Sequence, residues 1–189
     1  MDLNDTPELA EHRAKVRAWL EEHKDDAPAN PGAQQVERKS HIEERRVWQR
    51  KLTEGGLNGT TWPKEFGGQG LGPLHQVVTN QEIAAAGVPG ILDIIGVGML
   101  GPTIIAHGSD EQKDRYLGPM LRADEVWCQL FSEPAAGSDL AAVQTRAKKT
   151  DDGWVLNGQK VWTTNAQFAS YGLLLARTDA ALPKHKGLT

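Results

Sequence analysis

The sequence is short of cysteine, with Cys128 the single one among 189 residues. A lone cysteine excludes an internal disulfide and favours a reducing compartment. Because Cys128 lies in an apolar, strand-like run, we expect it to be a small core residue rather than a nucleophile. The cysteine content therefore gives no indication of disulfide or thiol chemistry.

Basic charge and long apolar runs are also scarce. The 21 Lys and Arg residues are outnumbered by 25 Asp and Glu residues, which gives a formal net charge of −4. This charge balance lacks the excess of basic residues that is typical of nucleic-acid-binding proteins. No run approaches the roughly 20 apolar residues that cross a bilayer, and the acidic residues 1–5 are unlike the basic start of a targeting peptide. We therefore expect a cytoplasmic protein with no nucleic-acid partner and no membrane span.

Helix signals dominate the first two thirds of the chain. Thr6 followed by Pro7 is typical of a helix start, and Ser109 opens a capping box that Gln112 completes. Hydrophobic spacing predicts helices over residues 7–25, 34–54, 74–86, 91–106 and 110–117, the last ended by Gly118 and Pro119. This part of the chain is therefore predicted to be a helical domain.

The burial of these helices can also be predicted. In the third helix, the spacing places Leu74, Val77, Val78 and Gln81 on the inner face. Residues 91–106 are apolar nearly all round, which suits a helix buried inside a bundle. The glycine-rich residues 55–73 predict an irregular loop, and we expect Trp62 and Phe66 to anchor that loop to the body of the domain.

The hydrophobic period changes after residue 123. Val143, Thr145 and Ala147 alternate with polar residues, the rhythm of a half-exposed strand. Strands are predicted over residues 126–131, 143–147, 154–156 and 170–177, with a turn at 151–153 and a hairpin signal at Asn157-Gly158. Helices followed by hairpins without strict alternation predict an α+β chain. Its predicted parts are an all-α domain over residues 1–123 and an incomplete antiparallel β-domain over residues 124–189.

One motif is a false signal for a dinucleotide site. Residues 96–101, Gly-Val-Gly-Met-Leu-Gly, match the fingerprint G-x-G-x-x-G, which requires a long helix after the last glycine and then a second strand. Here fewer than two helical turns follow, and no strand is predicted between residues 109 and 123. We expect these glycines to let helices approach closely or to leave room for a ligand tail.

Two later motifs indicate a nucleotide site. Residues 129–139, Gln-Leu-Phe-Ser-Glu-Pro-Ala-Ala-Gly-Ser-Asp, break from a strand into a loop in which Pro134 lacks a donor and Gly137 frees the backbone. Exposed N–H groups beside the Ser138 hydroxyl can hold a phosphate. Residues 159–165, Gln-Lys-Val-Trp-Thr-Thr-Asn, set the flat ring of Trp162 at another predicted strand end. Together the two motifs suggest a binding site for a nucleotide with an aromatic head.

This pair of motifs resembles the flavin-binding signature at the start of the middle domain of acyl-CoA dehydrogenases. The resemblance continues through Asn-Gly-Gln-Lys at 157–160 and Ala-Arg-Thr at 176–178. Upstream, Trp-Pro-Lys-Glu-Phe-Gly-Gly at 62–68 and His-Gly-Ser-Asp-Glu-Gln-Lys at 107–113 look like the N-terminal domain of the same family. The likeness covers nearly the whole chain in the order of the family.

The resemblance implies FAD-dependent α,β-dehydrogenation of an acyl-CoA thioester, with an electron-transfer flavoprotein or a similar acceptor as partner. It implies that Ser132 meets the pyrimidine edge of the flavin and that Thr164 donates towards N5. The cofactor-binding residues carried over are Gln129, Leu130, Phe131, Ser132, Gly137, Ser138, Trp162, Thr163 and Thr164. The substrate-binding residues are Ser138 near the pantetheine arm and Ile95, Met99 and Leu100 along the acyl slot.

The sequence also departs from the family pattern. Gln129 stands where the family often has an aromatic or apolar residue, and Ser132 stands where it has threonine. The family's catalytic carboxylate lies on a helix of a C-terminal domain that is expected to be absent from these 189 residues. The resemblance therefore implies no catalytic residue in this chain, which we expect to be inactive alone. Glu133 and Asp139 are expected to shape the loop, and no metal site is predicted.

Two alternatives to a dehydrogenase stay open. The chain could be a non-catalytic subunit or interaction module that keeps the fold and pairs with a complete partner. It could also belong to a flavin oxidase or monooxygenase on the same scaffold. An incomplete β-domain exposes strand edges, so the sequence also predicts a homo- or hetero-oligomer.

Overall fold

The computed structural model describes residues 4–29 and 39–189, without the side chains of Lys39 and Ser40. The chain divides into two compact units between Glu125 and Val126, two residues after the predicted boundary. The first unit is helical and the second contains small sheets, so the predicted α+β class is confirmed. No helix in the described part of the chain has the length and apolar character needed to cross a membrane.

The helical unit follows the predicted order of helices. Its elements are α1 (Pro7–His23), α2 (Lys39–Glu54), α3 (Pro73–Ala85), a π-helical segment (Gly96–Leu100), α4 (Gly101–His107) and α5 (Asp110–Leu121). The Thr6 cap and the Ser109–Gln112 capping box are both present, as predicted. Residues 34–38 of the predicted second helix lie outside the described residues. Helix α5 runs through Pro119, where an end was predicted, because Met120 and Leu121 are buried in the core.

The core of this unit lies where α1 and α2 meet. Val16, Leu20, Trp48 and Leu52 are almost fully buried and form one apolar cluster. The indole Nε1 of Trp48 donates to the Pro89 carbonyl oxygen at 2.6 Å, so this large side chain is buried without an unpaired polar atom. Apolar burial of this kind supplies most of the stabilisation of the unit.

Helix α3 presents a different face to the core from the predicted one. Leu74, Val77 and Gln81 are exposed, and the buried residues include Val78 and Glu82. The Glu82 carboxylate accepts hydrogen bonds from Arg13 and Arg17 of α1 at 2.8 Å each. A buried carboxylate needs such partners, so this ionic cluster selects the face that α3 turns inward.

The segment from Ile94 to His107 is helical, but it is not buried all round as predicted. Ile94 is 65% exposed and Met99 is also exposed. Its first half contains the π-helical segment, in which the Gly101 N–H donates to the Gly96 carbonyl oxygen. Residues 91–93 form no strand, which confirms that residues 96–101 are not a dinucleotide fingerprint.

The second unit contains two strand pairs. Its strands are β1 (Trp127–Leu130), β2 (Arg146–Thr150), β3 (Gly153–Asn157) and β4 (Tyr171–Leu174). Strands β2 and β3 form an antiparallel hairpin, whereas β1 and β4 pair in parallel, so the predicted antiparallel pairing holds for one pair only. These two strands are parallel because the long segment between them brings the chain back to the end at which β1 begins, so that β4 runs in the same direction as β1.

The Asn157-Gly158 hairpin prediction is wrong. The turn of the hairpin is at residues 151–152, and Gly158 instead follows the end of β3. A Cβ atom at position 158 would overlap Thr145. Glycine is needed there for close approach of two backbone segments rather than for a tight turn.

Candidate functional site

The loop after β1 is built around a small reverse turn. Glu133 and Ala136 exchange backbone hydrogen bonds of 2.9 and 3.1 Å, with Pro134 exposed at the tip. Gly137 and Ser138 follow and are both exposed. The expectation of an unusual backbone at Gly137 is wrong, because its φ is not left-handed. The space around it is open, since a Cβ atom there would meet nothing within 4 Å.

The Glu133 side chain turns inward and holds the other end of this loop. Its carboxylate accepts hydrogen bonds from the backbone N–H of Gln144 at 2.6 Å and of Thr145 at 2.9 Å. The ammonium of Lys160 donates to the same group at 2.9 Å, and both side chains are less than a tenth exposed. The expectation that Glu133 shapes the loop by hydrogen bonding is therefore confirmed.

These contacts change the acidity of Glu133. Burial by itself raises the pKa of the carboxyl, but the hydrogen bonds from Gln144, Thr145 and Lys160 together outweigh burial and lower the pKa from 4.5 to about 2. The group is therefore ionised at neutral pH. A carboxylate with so low a pKa is also a poor proton acceptor.

The low pKa predicts that stability depends on pH. A depressed folded-state pKa stabilises the fold above the ordinary value of 4.5, and this stabilisation is lost as the pH falls towards about 2. The difference amounts to roughly 3 kcal/mol. Glu133→Gln should remove this contribution and flatten the pH dependence. Denaturant unfolding of both proteins in buffers across the acid range measures how the free energy of unfolding of each changes with pH. The same change in wild type and in Glu133→Gln would contradict the prediction.

Lys160 joins three backbone segments. Besides Glu133, its ammonium donates to the Phe131 carbonyl oxygen at 2.9 Å and to the Leu175 carbonyl oxygen at 2.7 Å. The next residue, Val161, donates its backbone N–H to the Ser132 carbonyl oxygen at 2.9 Å. The loop after β1 and the loop that contains Trp162 are therefore joined, as the pairing of the two motifs predicted.

Trp162 is the most unusual residue of the second loop. It does not end a strand as predicted, because residues 159–163 have no regular structure. Its ring is 91% exposed, and its φ of +58° is left-handed, which is uncommon for a bulky residue. A large apolar ring held in solvent on strained backbone is a feature associated with functional sites.

The remaining predicted cofactor residues lie in β1 and along the same two loops. Gln129 and Leu130 are half-buried in β1, and Phe131 and Ser132 follow them directly. Thr163 is half-buried and Thr164 is exposed in the loop after Trp162. The structure thus brings Ser132 next to the Trp162 loop and leaves Ser138 and Thr164 accessible. Their contacts with a cofactor stay a prediction.

Two cations with structural roles in this unit were missed by the sequence analysis. Lys160 was noted only as part of a motif, and Arg177 donates to the carbonyl oxygens of Ala141 at 2.9 Å and Val143 at 3.2 Å. Both lie next to apolar residues. Because Lys and Arg are rarely buried unless they are paired, a single cation in an apolar stretch indicates that its side chain has a buried partner. Asp139 pairs with Lys184 at the exposed side of the same loop.

A separate cavity of about 630 Å³ lies within the helical unit. Its apolar lining includes Leu57, Trp62, Ile83, Val88, Ile91 and Ile94. Trp62 is buried and donates to the Val97 carbonyl oxygen at 3.1 Å, which confirms that it pins its loop. Of the predicted acyl-slot residues, Leu100 is buried in the core, Met99 is exposed and Ile95 is half-buried, and none of them lines this cavity.

Comparison with known proteins identifies relatives of both units. The family model for the acyl-CoA dehydrogenase N-terminal domain matches residues 6–124, and that for the middle domain matches residues 128–189. Acyl-CoA dehydrogenase IpdE1 of Mycobacterium tuberculosis is 41% identical over 188 residues, which cover 96% of this chain and 48% of the relative.

Solved structures agree with this match. The Tcur3481-Tcur3483 steroid ACAD superposes with a TM-score of 0.81 at 37% identity, covering 100% of this chain and 48% of that chain. The ChsE4-ChsE5 complex from Mycobacterium tuberculosis superposes with a TM-score of 0.79 at 33% identity, covering 100% and 46%. The chain spans about half the length of these relatives.

Proposed function

The chain belongs to the acyl-CoA dehydrogenase family, and from that premise we propose that it serves the FAD-dependent α,β-dehydrogenation of an acyl-CoA thioester. The observation that carries the proposal is the joining of the two loops by Lys160 and Val161. This joining holds the loop that contains the exposed Trp162 against Ser132, and the same loop after β1 continues to the exposed Gly137 and Ser138. An electron-transfer flavoprotein or a similar acceptor would take up the electrons.

The residues present fit FAD. The exposed face of Trp162 suits packing against a flat heterocycle. The open space at Gly137, with the exposed Ser138 hydroxyl beside it, suits a diphosphate. Ser132 and Thr164 provide hydroxyl donors for the polar edge of the ring. When bound, FAD supplies the two-electron acceptor for the hydride that leaves Cβ of the substrate.

The chain's own residues position the reactants and exclude water. Donors aimed at the flavin ring favour its electron-rich reduced form, which lowers the barrier to hydride transfer. Ser138 also lies where the resemblance puts the pantetheine arm of the thioester. The apolar cavity of the helical unit is suited to an acyl chain, since its volume falls within the roughly 300–1,000 Å³ of small-molecule sites. Contacts of Ile95, Met99 and Leu100 with that chain stay a prediction.

The base that removes the α-proton is not among the acids of these loops. Glu133 is ionised, hydrogen-bonded on both oxygens and too weakly basic, with a pKa of about 2. Asp139 pairs with Lys184. We assign no catalytic residue to the described part of the chain. Its role in the proposed reaction is to bind the cofactor and the substrate.

Flavin binding by the 189-residue chain tests the proposal. Replacing Trp162 by alanine should weaken FAD binding about tenfold, because stacking of aromatic rings contributes roughly 0.5–1.5 kcal/mol beyond the buried area. Trp162→Phe keeps a flat ring and should retain most of the affinity. Titration of FAD, followed by flavin fluorescence, gives the dissociation constants. Equal affinities for wild type and Trp162→Ala would contradict the assignment.

A second candidate, a binding subunit in a hetero-complex, is favoured by one observation. Trp154, Val155 and Leu156 of β3 are all more than half exposed, although they point alternately to the two faces of the hairpin. An exposed apolar strand of this kind is suited to packing against another chain or segment. The same titration separates the candidates, because a chain that acts only as an interaction module takes up no FAD by itself.

A further inference from the structure

Gly137 and Ser138, which the proposed function assigns to the diphosphate of FAD, have few contacts of their own. Both are exposed, and within the described part of the chain neither takes part in a hydrogen bond. A donor that is fixed in advance binds a ligand more tightly, because ordering a loose donor on binding costs conformational entropy. The position of this stretch, and with it the affinity for a diphosphate, therefore depends on the residues that anchor its two ends.

The end that precedes the stretch is anchored by Glu133 and Lys160. The backbone of Glu133 exchanges hydrogen bonds with Ala136, and Lys160 donates to the Glu133 carboxylate. Lys160 belongs to the loop that contains Trp162, so the same contacts hold the ring end of the proposed site.

The end that follows the stretch is anchored by Arg177. Leu140–Ala142 form one short helical turn directly after the stretch. The Nη2 atom of Arg177 donates to the Ala141 carbonyl oxygen at 2.9 Å, and its Nε atom donates to the carbonyl oxygen of Val143 at 3.2 Å. The last carbonyl oxygens of a helical turn have no partner inside it, so the guanidinium satisfies them. Its donors lie in one rigid plane, which fixes both carbonyl oxygens at once.

Arg177 is itself held by a neighbouring segment and has a second route to the stretch. Its backbone N–H donates to the Thr145 carbonyl oxygen at 2.7 Å. The outer nitrogens of its guanidinium lie 3.5 Å from the Lys184 carbonyl oxygen. The ammonium of Lys184 pairs in turn with Asp139, the residue after Ser138. Contacts of Arg177 thus reach the end of the stretch both directly and through Lys184.

We infer that Arg177 positions Gly137 and Ser138 for the diphosphate of FAD, so that it controls the affinity for the phosphate end of the cofactor and not for the ring end. The inference rests on the proposed FAD function and adds a positioning residue to that site. The two loops at the ring end are joined by Lys160 and Val161, not by Arg177. A change at Arg177 therefore separates the two ends of the cofactor.

Titrations of FAD and riboflavin test this inference, because riboflavin has the same ring system and no phosphate. Arg177→Lys keeps the positive charge but cannot donate to two carbonyl oxygens as a planar fork. FAD binding by the 189-residue chain should weaken about tenfold, since a hydrogen bond to a charged group accounts for roughly 10–100-fold in affinity, while riboflavin binding should change less than about twofold. Flavin fluorescence gives the dissociation constants.

Two controls show what other changes do to the same two ligands. Arg146→Lys makes the same substitution at an exposed arginine of β2 and should leave both affinities unchanged. Trp162→Ala should weaken FAD and riboflavin binding by the same factor, because the ring that it contacts is common to both ligands.

Two further variants test the positioning route. Asp139→Asn loosens the same end of the stretch at the exposed ion pair, and it should weaken FAD binding about threefold with no effect on riboflavin. In a Ser138→Ala chain, adding Arg177→Lys should weaken FAD binding by no more than about threefold, because the hydrogen bond that Arg177 positions is already missing.

The outcomes distinguish this inference from the proposed function. Equal losses of FAD and riboflavin affinity in Arg177→Lys and in Asp139→Asn show a general loss of structure and overturn the inference. Full FAD affinity in Arg177→Lys overturns it as well, since charge alone then suffices. Losses that simply add in the Ser138→Ala chain also overturn it, and this measurement needs FAD alone. If the wild-type chain binds neither flavin, the proposed function fails and the inference fails with it.

Discussion

A Lys160→Met variant is expected to lose about 3–5 kcal/mol of the free energy of unfolding of the second unit, together with FAD binding. Methionine has a similar volume but donates no hydrogen bond. Glu133 would then be a buried carboxylate held by backbone N–H groups alone, and the carbonyl oxygens of Phe131 and Leu175 would each lose a donor. Denaturant unfolding followed by tryptophan fluorescence measures the first loss, and FAD titration measures the second.

Two further variants show whether the buried pair is the cause. Lys149→Met makes the same change at an exposed lysine of β2 and should alter stability by no more than about 0.5 kcal/mol. The double variant Glu133→Gln/Lys160→Met removes the unpaired charge and should be more stable than Lys160→Met. A double variant no more stable than the single one would rule out an unpaired Glu133 charge as the source of the loss.

A Gln49→Leu variant is expected to destabilise the helical unit by roughly 2–6 kcal/mol, at about 1–3 kcal/mol for each of the two buried backbone N–H groups that lose their acceptor. The Gln49 side chain is fully buried in α2. Its Oε1 atom accepts from the backbone N–H groups of Leu92 at 2.8 Å and Asp93 at 3.0 Å. Its Nε2 atom donates to the carbonyl oxygens of Met120 and Leu121. Thermal and denaturant unfolding measure the effect.

The two N–H groups account for most of this loss. The Leu121 carbonyl oxygen also accepts from Asn58 at 2.8 Å, so it keeps a partner in the variant. The N–H groups of Leu92 and Asp93 both lose the Oε1 atom to which they donate. Gln167→Leu, the same change at an exposed position, should alter stability by no more than about 0.5 kcal/mol. A Gln49→Leu variant as stable as Gln167→Leu would show that water replaces the amide.

The parts of the fold that were predicted well depend on neighbouring residues. The Thr6 cap, the capping box at Ser109 and the strand that contains Cys128 all lie where the local pattern indicated. The joining of the two motif loops was also anticipated, through the resemblance to a family. Each of these predictions uses interactions between residues only a few positions apart, or a motif that is read as a unit.

The predictions that failed depend on distant partners. The inner face of α3 is selected by Arg13 and Arg17, more than sixty residues from Glu82. Gly158 is needed because Thr145 packs against it, not because a turn lies there. Of the glycines at 96, 98 and 101, only the surroundings show that close packing requires the first and the last, whereas a Cβ atom at Gly98 would meet nothing within 4 Å.

Local sequence was therefore enough to predict the helices of the first unit and the strands of the second, because caps, turns and periodicity are short-range. The assembled fold was needed to establish which buried charge meets which partner, and where empty volume remains. A buried group gains or loses free energy only when specific segments remove it from water together. That pairing joins positions far apart in the chain, such as Lys160 with Glu133 and Gln49 with Leu92.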